Sequence, residues 1–134
     1  MASISSIEGI GPKFSEKLAE AGVKTTEKLL EAGASKSGRK KLAEASGIDE
    51  KKILRWVNMA DLFRIKGVGE EFSDLLEAAG VDTVKELRNR NAENLHKKIQ
   101  EVNEEKKLVR QLPGLSKIQD FIAQAKEMEP MVTY

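Results

Sequence analysis

The residues best placed to do chemistry are Gly9, Ile10, Gly11 and Lys13, set in the stretch Ile7-Glu8-Gly9-Ile10-Gly11-Pro12-Lys13-Phe14-Ser15. Two glycines ahead of a proline describe a tight turn that opens a helix. The chemistry on offer there is anion capture. A helix starts with backbone N–H groups that lack intrahelical partners and with the positive end of its macrodipole. Glycines at 9 and 11 let an anion approach that backbone with no side chain in the way. Lys13 falls in the first helical turn, where its charge opposes the dipole and costs on the order of a few tenths of a kcal/mol unless an anion sits nearby. The same glycines also suit a turn that does nothing but pack two helices.

The stretch occurs twice. Residues 65–73 read Ile65-Lys66-Gly67-Val68-Gly69-Glu70-Glu71-Phe72-Ser73, and between 7–30 and 65–88 eleven of twenty-four positions are identical, which marks an internal repeat. In the second copy Glu70 and Glu71 take the first helical turn, satisfy the helix end and repel phosphate. That hairpin is therefore expected to be structural or protein-facing. Weaker turns follow at Gly47 and Gly114. The densest basic stretch is Lys36, Arg39, Lys40 and Lys41 with Lys51, Lys52 and Arg55. The expectation is that the Gly47 hairpin, with Lys51 and Lys52, reaches a neighbouring phosphate. A solvated helix face fits those lysines equally well.

The elements that must position these groups are helical throughout. Phe14, Leu18 and Ala21 keep helical spacing until Gly22, and Val23 is a buried latch before Thr25 caps a short second helix with Leu29 and Leu30. Residues 32–38 read as a loop, with a third helical piece over 39–45 and a turn at Ser46-Gly47-Ile48-Asp49, where Asp49 is an N-cap. Ile53, Trp56, Val57 and Ala60 stripe a longer helix. The second half repeats this plan: Leu75, Leu76 and Ala79 inward, Thr83-x-x-Glu86 as a capping box, Asn91 as a cap, then Leu95, Ile99 and Val102. Ser116-x-x-Gln119 reads as another capping box, ahead of Ile118, Phe121 and Ile122. These last three match Ile53, Trp56 and Val57 at an offset of 65. The tail 129–134 is expected to be frayed or loosely docked. The expected fold is all-α, a tandem repeat of two double-hairpin units (four hairpins in all) over 1–64 and 65–134.

The spacing carried by Ile7, Gly9, Ile10, Gly11, Pro12, Lys13, Phe14, Ser15 and Leu18 resembles the helix-hairpin-helix motif, in which a short turn between two helices grips a phosphate of the nucleic-acid backbone. Ala21-Gly22-Val23-Lys24-Thr25 and Ala79-Gly80-Val81-Asp82-Thr83 make each half resemble the amino-terminal helical domain of archaeal and eukaryotic strand-exchange recombinases. The whole chain also resembles a bacterial family, a domain of unknown function, built of two such units. The first resemblance implies sequence-independent contact with duplex DNA, the second implies nothing about function, and neither implies an enzyme. From the resemblance to such hairpins, a monovalent cation could also sit on the turn carbonyls, and nothing in the residues themselves calls for one.

Composition narrows the alternatives. Cysteine is absent, so there is no disulfide framework, thiolate metal site or cysteine nucleophile. No secretion signal or spanning run is read, and a cytoplasmic protein without membrane contact is expected. The formal net charge is only +1, which argues against a bulk electrostatic coat. It is uneven, with twelve basic and nine acidic groups in residues 1–64 and eleven and thirteen in 65–134. Phe14, Trp56, Phe72 and Phe121 all fall on apolar stripes, which suits core packing better than base stacking. His96 is the only histidine and has no triad partner. No catalytic residue, metal site, cofactor or small-molecule substrate is expected. The leading expectation is weak, sequence-independent binding of duplex DNA through Gly9, Ile10, Gly11, Lys13, Gly47, Lys51 and Lys52. The rival is a protein-interaction or scaffold module that keeps the hairpins as architecture.

Overall fold

A computed structural model describes residues 3–7 and 9–133. The described residues are all-α: α1 (Pro12–Glu20), α2 (Thr26–Gly33), α3 (Lys36–Ser46), α4 (Glu50–Leu62), α5 (Glu70–Ala78), α6 (Val84–Arg88), α7 (Ala92–Lys106) and α8 (Leu115–Glu127). A 3-10 turn, Ile4–Ser6, precedes α1, and the only extended pairing among the described residues is an isolated bridge between Ser3 and Thr25. The chain forms two compact units, one of residues 1–61 with 131–134 and one of residues 62–130.

In the first unit, α1 starts as its residue types dictate. Gly11 is the N-cap and Pro12 takes the first helical position, where a missing N–H costs nothing. After α1 the Val23 amide donates to Leu18 O at 2.8 Å, which folds buried Val23 back onto the helix. Thr25 Oγ1 then accepts the Lys28 amide at 3.1 Å and opens α2.

The stretch 32–38, expected as a loop, is mostly helical. Helix α2 runs to Gly33, and α3 begins at Lys36 because Ser35 Oγ caps the Gly38 amide at 3.0 Å. Arg39 departs from its expected place in an exposed basic face. It is 4% exposed and donates to Gly33 O (2.9 Å), Ala34 O (3.1 Å) and Thr133 O (2.7 Å). The guanidinium thereby satisfies carbonyls at the end of α2, which have no helical donor of their own. The tail is likewise fastened, since the Thr133 amide donates to Ala34 O at 2.7 Å and Val132 is buried.

The second unit repeats the local bonds of the first. The Val68 amide closes on Ile65 O at 3.1 Å, as Ile10 closes on Ile7 O at 3.2 Å, and the Val81 amide reaches Leu76 O at 2.8 Å. Thr83 Oγ1 caps the Glu86 amide at 3.1 Å, while the Glu86 carboxylate turns to Arg90 at 3.0 Å. Asn91 caps α7 as expected. The expected Ser116 cap gives way to Gly114, whose carbonyl accepts the Ile118 amide at 3.1 Å, so Ser116 lies inside the helix. Helices α6 and α7 pack on α8, and Leu76, Leu87, Ile99, Ile118 and Phe121 belong to one continuous core.

Candidate nucleic-acid interface

The first hairpin is held from below by α4. Gly9 has φ +95°, and a Cβ built there would meet Arg55 Nη1 at 3.3 Å and Trp56 Nε1 at 3.4 Å. Trp56 is buried and its ring lies 5.2 Å from that of Phe14 at a tilted angle. Lys52 extends its ammonium over the other partner of this pair, 4.8 Å from the Phe14 centroid. The hairpin, Phe14, Lys52 and Arg55 thus form one cluster, although α4 begins some forty residues beyond the turn.

Within that cluster the expected residues take different parts. Gly9, Gly11 and Lys13 are exposed, and the first turn of α1 has neither a side-chain cap nor an acidic residue. The first intrahelical amide bond is Ser15 to Gly11 O at 2.9 Å, so the amides of Lys13 and Phe14 are the helix's outward donors. Ile10 is different. Its amide is spent on Ile7 O and its side chain is 5% exposed, so closing this tight turn consumes that donor. The turn carbonyls of Ile7 and Gly11 each accept an amide of the chain.

The Gly47 hairpin is not brought into the same cluster as a whole. Gly47, at φ +74°, ends α3, and its amide bonds Ala43 O at 2.8 Å. Asp49 Oδ1 accepts the Lys51 amide at 3.2 Å, placing a carboxylate where a phosphate would approach α4. Lys51 lines a shallow cavity of about 240 Å3 with Lys36, Arg39, Glu50 and Leu54, whereas Lys52 turns toward the first hairpin. Adjacent lysines on a helix point about 100° apart, which separates their two positions.

The second unit carries a parallel cluster. A Cβ on Gly67 (φ +99°) would meet Phe121 Cε1 at 3.1 Å, Phe72 lies 6.2 Å from Phe121, and Lys117 extends over Phe72 at 5.2 Å. Sequence reading did not single out Lys117 or Arg110. The offset of 65 that matches Trp56 to Phe121 also matches Lys52 to Lys117, and that was the available signal. The first turn of α5 holds Glu70 and Glu71. His96 lies half-buried on α7. Among the described residues no group of three or more His, Cys, Asp or Glu is arranged to hold a metal ion, and no helix is long and apolar enough to cross a membrane.

Compared with known proteins, residues 8–128 match the family model described as Domain of unknown function (DUF4332). No curated protein and no solved structure matches the chain.

Proposed function

The chain belongs to the DUF4332 family, whose description carries no activity, and from the chain's own residues we propose a non-enzymatic module that holds the backbone of duplex DNA without reading sequence. The proposal includes the finer fold reading, that each unit is a pair of helix-hairpin-helix elements. The observation that carries it is the meeting of an uncapped, acid-free helix start with two lysines from different helices, Lys13 on α1 and Lys52 on α4.

In this mechanism the amides of Lys13 and Phe14 point at a phosphate oxygen, and Gly9 and Gly11 keep the approach clear. The Lys13 ammonium supplies charge that no first-turn carboxylate cancels. Lys52 adds a second cation, prepositioned by its seat on Phe14, so less side-chain freedom is lost on binding. Arg55 lies beside the same turn. None of these contacts touches a base edge, so affinity is independent of sequence and falls with salt.

The acid-bearing start of α5 favours the rival reading for its own hairpin, a contact with protein rather than phosphate. The test is fluorescence anisotropy of a labelled random-sequence duplex titrated with the full chain at two salt concentrations, with Lys13→Glu and Lys52→Glu alongside. Micromolar binding that weakens with salt and is lost in both variants is expected. No binding at low salt, or binding indifferent to both lysines, would refute the hairpin mechanism and leave the scaffold reading.

A further inference from the structure

The second unit holds a cleft of about 410 Å3 between the start of α5 and the turn that leads into α8. Its walls include Glu71 and Phe72 on one side and Arg110, Gln111, Gly114 and Lys117 on the other. Resting on the reading of the first unit above, we propose that this cleft is a second phosphate site for the nucleic-acid backbone, with Arg110 and Lys117 as its cations.

Three observations lead there. First, two cations face a single carboxylate in the cleft, and Arg110 brings the planar fork that matches two phosphate oxygens at once. Second, Lys117 repeats Lys52 in both register and setting, each ammonium lying over the phenylalanine that follows its hairpin, at 5.2 Å and 4.8 Å. Third, Arg110, Gln111 and Lys117 are exposed, whereas the Phe72 ring beneath them is half-buried. Donors on an open rim suit a phosphate presented by a polymer better than a small molecule enclosed on all sides.

The units distribute their acids in opposite ways. In the first, Asp49 takes the start of α4 and the start of α1 carries no acid. In the second, Glu70 and Glu71 take the start of α5, and the first turn of α8 carries none. Contact with phosphate accordingly moves from the first hairpin of its unit to the second, and Glu71 becomes a restraint on affinity at the cleft wall.

The test uses the full chain, the same labelled duplex and a salt series. Arg110→Gln with Lys117→Gln is expected to weaken low-salt binding about tenfold and to flatten the slope of log K against log salt by about 2, one for each cation removed. Glu71→Gln should bind more tightly than wild type, an effect of opposite sign that a merely structural role would not produce. Far-UV circular dichroism establishes that each variant is folded. Wild-type affinity and slope in the double glutamine variant, with Lys13→Glu still defective, would overturn the cleft and spare the first-unit reading. Loss in the double variant with Lys13→Glu and Lys52→Glu unaffected would do the reverse. A wild-type chain that binds no duplex overturns both.

Discussion

Gly9→Ala and Gly67→Ala differ in one physical respect, which makes the pair a test of how the hairpins are seated. Both glycines have nearly the same φ, +95° and +99°. An L side chain in that region costs about 1–2 kcal/mol, offset by roughly 0.4–1 kcal/mol of reduced unfolded-state freedom. The shared term is therefore roughly 0–1.6 kcal/mol, centred near 1. At Gly67 the new Cβ stands 3.1 Å from Phe121 Cε1, in a ring 1% exposed and packed against Phe72. Overpacking a buried ring adds about 1–3 kcal/mol, for a total of roughly 2–4 kcal/mol. At Gly9 the nearest atoms are the far end of Arg55 at 3.3 Å and the Trp56 nitrogen at 3.4 Å, and the tip of a long arginine side chain can swing aside. Gly9→Ala should accordingly cost less than Gly67→Ala by about 1 kcal/mol or more. Urea unfolding by far-UV circular dichroism measures both, and fluorescence of the sole tryptophan, Trp56, follows the first unit. If Gly67→Ala unfolds no more easily than Gly9→Ala, the ring does not seat the second hairpin as described.

Two further outcomes follow from groups outside the proposed interface. Arg39→Ala removes three charge-assisted bonds to carbonyls and should destabilise the first unit by about 2–4 kcal/mol, while limited proteolysis should show earlier cleavage of the tail past Pro130. Burial raises the Asp82 carboxyl above its ordinary 3.8, with Glu86 and Glu77 adding to the effect and its own backbone hydrogen bond and Arg90 opposing it. The native state then keeps that proton to higher pH than the unfolded chain. This contribution is fully present below the unfolded carboxylate range and is lost as pH rises through the raised value. Asp82→Asn should flatten that decline in urea midpoints measured from acid to neutral pH; an unchanged profile would refute the assignment.

Much of this protein was legible in its residue order because the governing interactions are local. Helix starts at Thr25, Thr83 and Asn91, stops at Gly22 and Gly80, and the apolar stripes of α4 and α8 depend on neighbours within a few positions, so spacing alone specifies them. The repeat is equally a property of the string. The misreadings were also local. Ser116-x-x-Gln119 has the form of a capping box, but Gly114, two residues earlier, had already begun the helix. Residues 32–38 have loop-like composition, but Ser35 caps directly onto Gly38.

What the residue order determined is therefore the helices, their turns and the sign of charge each turn carries, including the contrast of Lys13 with Glu70 and Glu71. Tertiary structure alone decided which distant side chains share a turn. It sent Lys52 to Phe14 and Lys51 elsewhere, buried Arg39 under the tail, and set Arg110 and Lys117 across a cleft from Glu71. The physical reason is that a cap is fixed by backbone atoms three residues away, whereas a long cation's position is fixed by whatever ring or carbonyl the packing of helices brings within its reach.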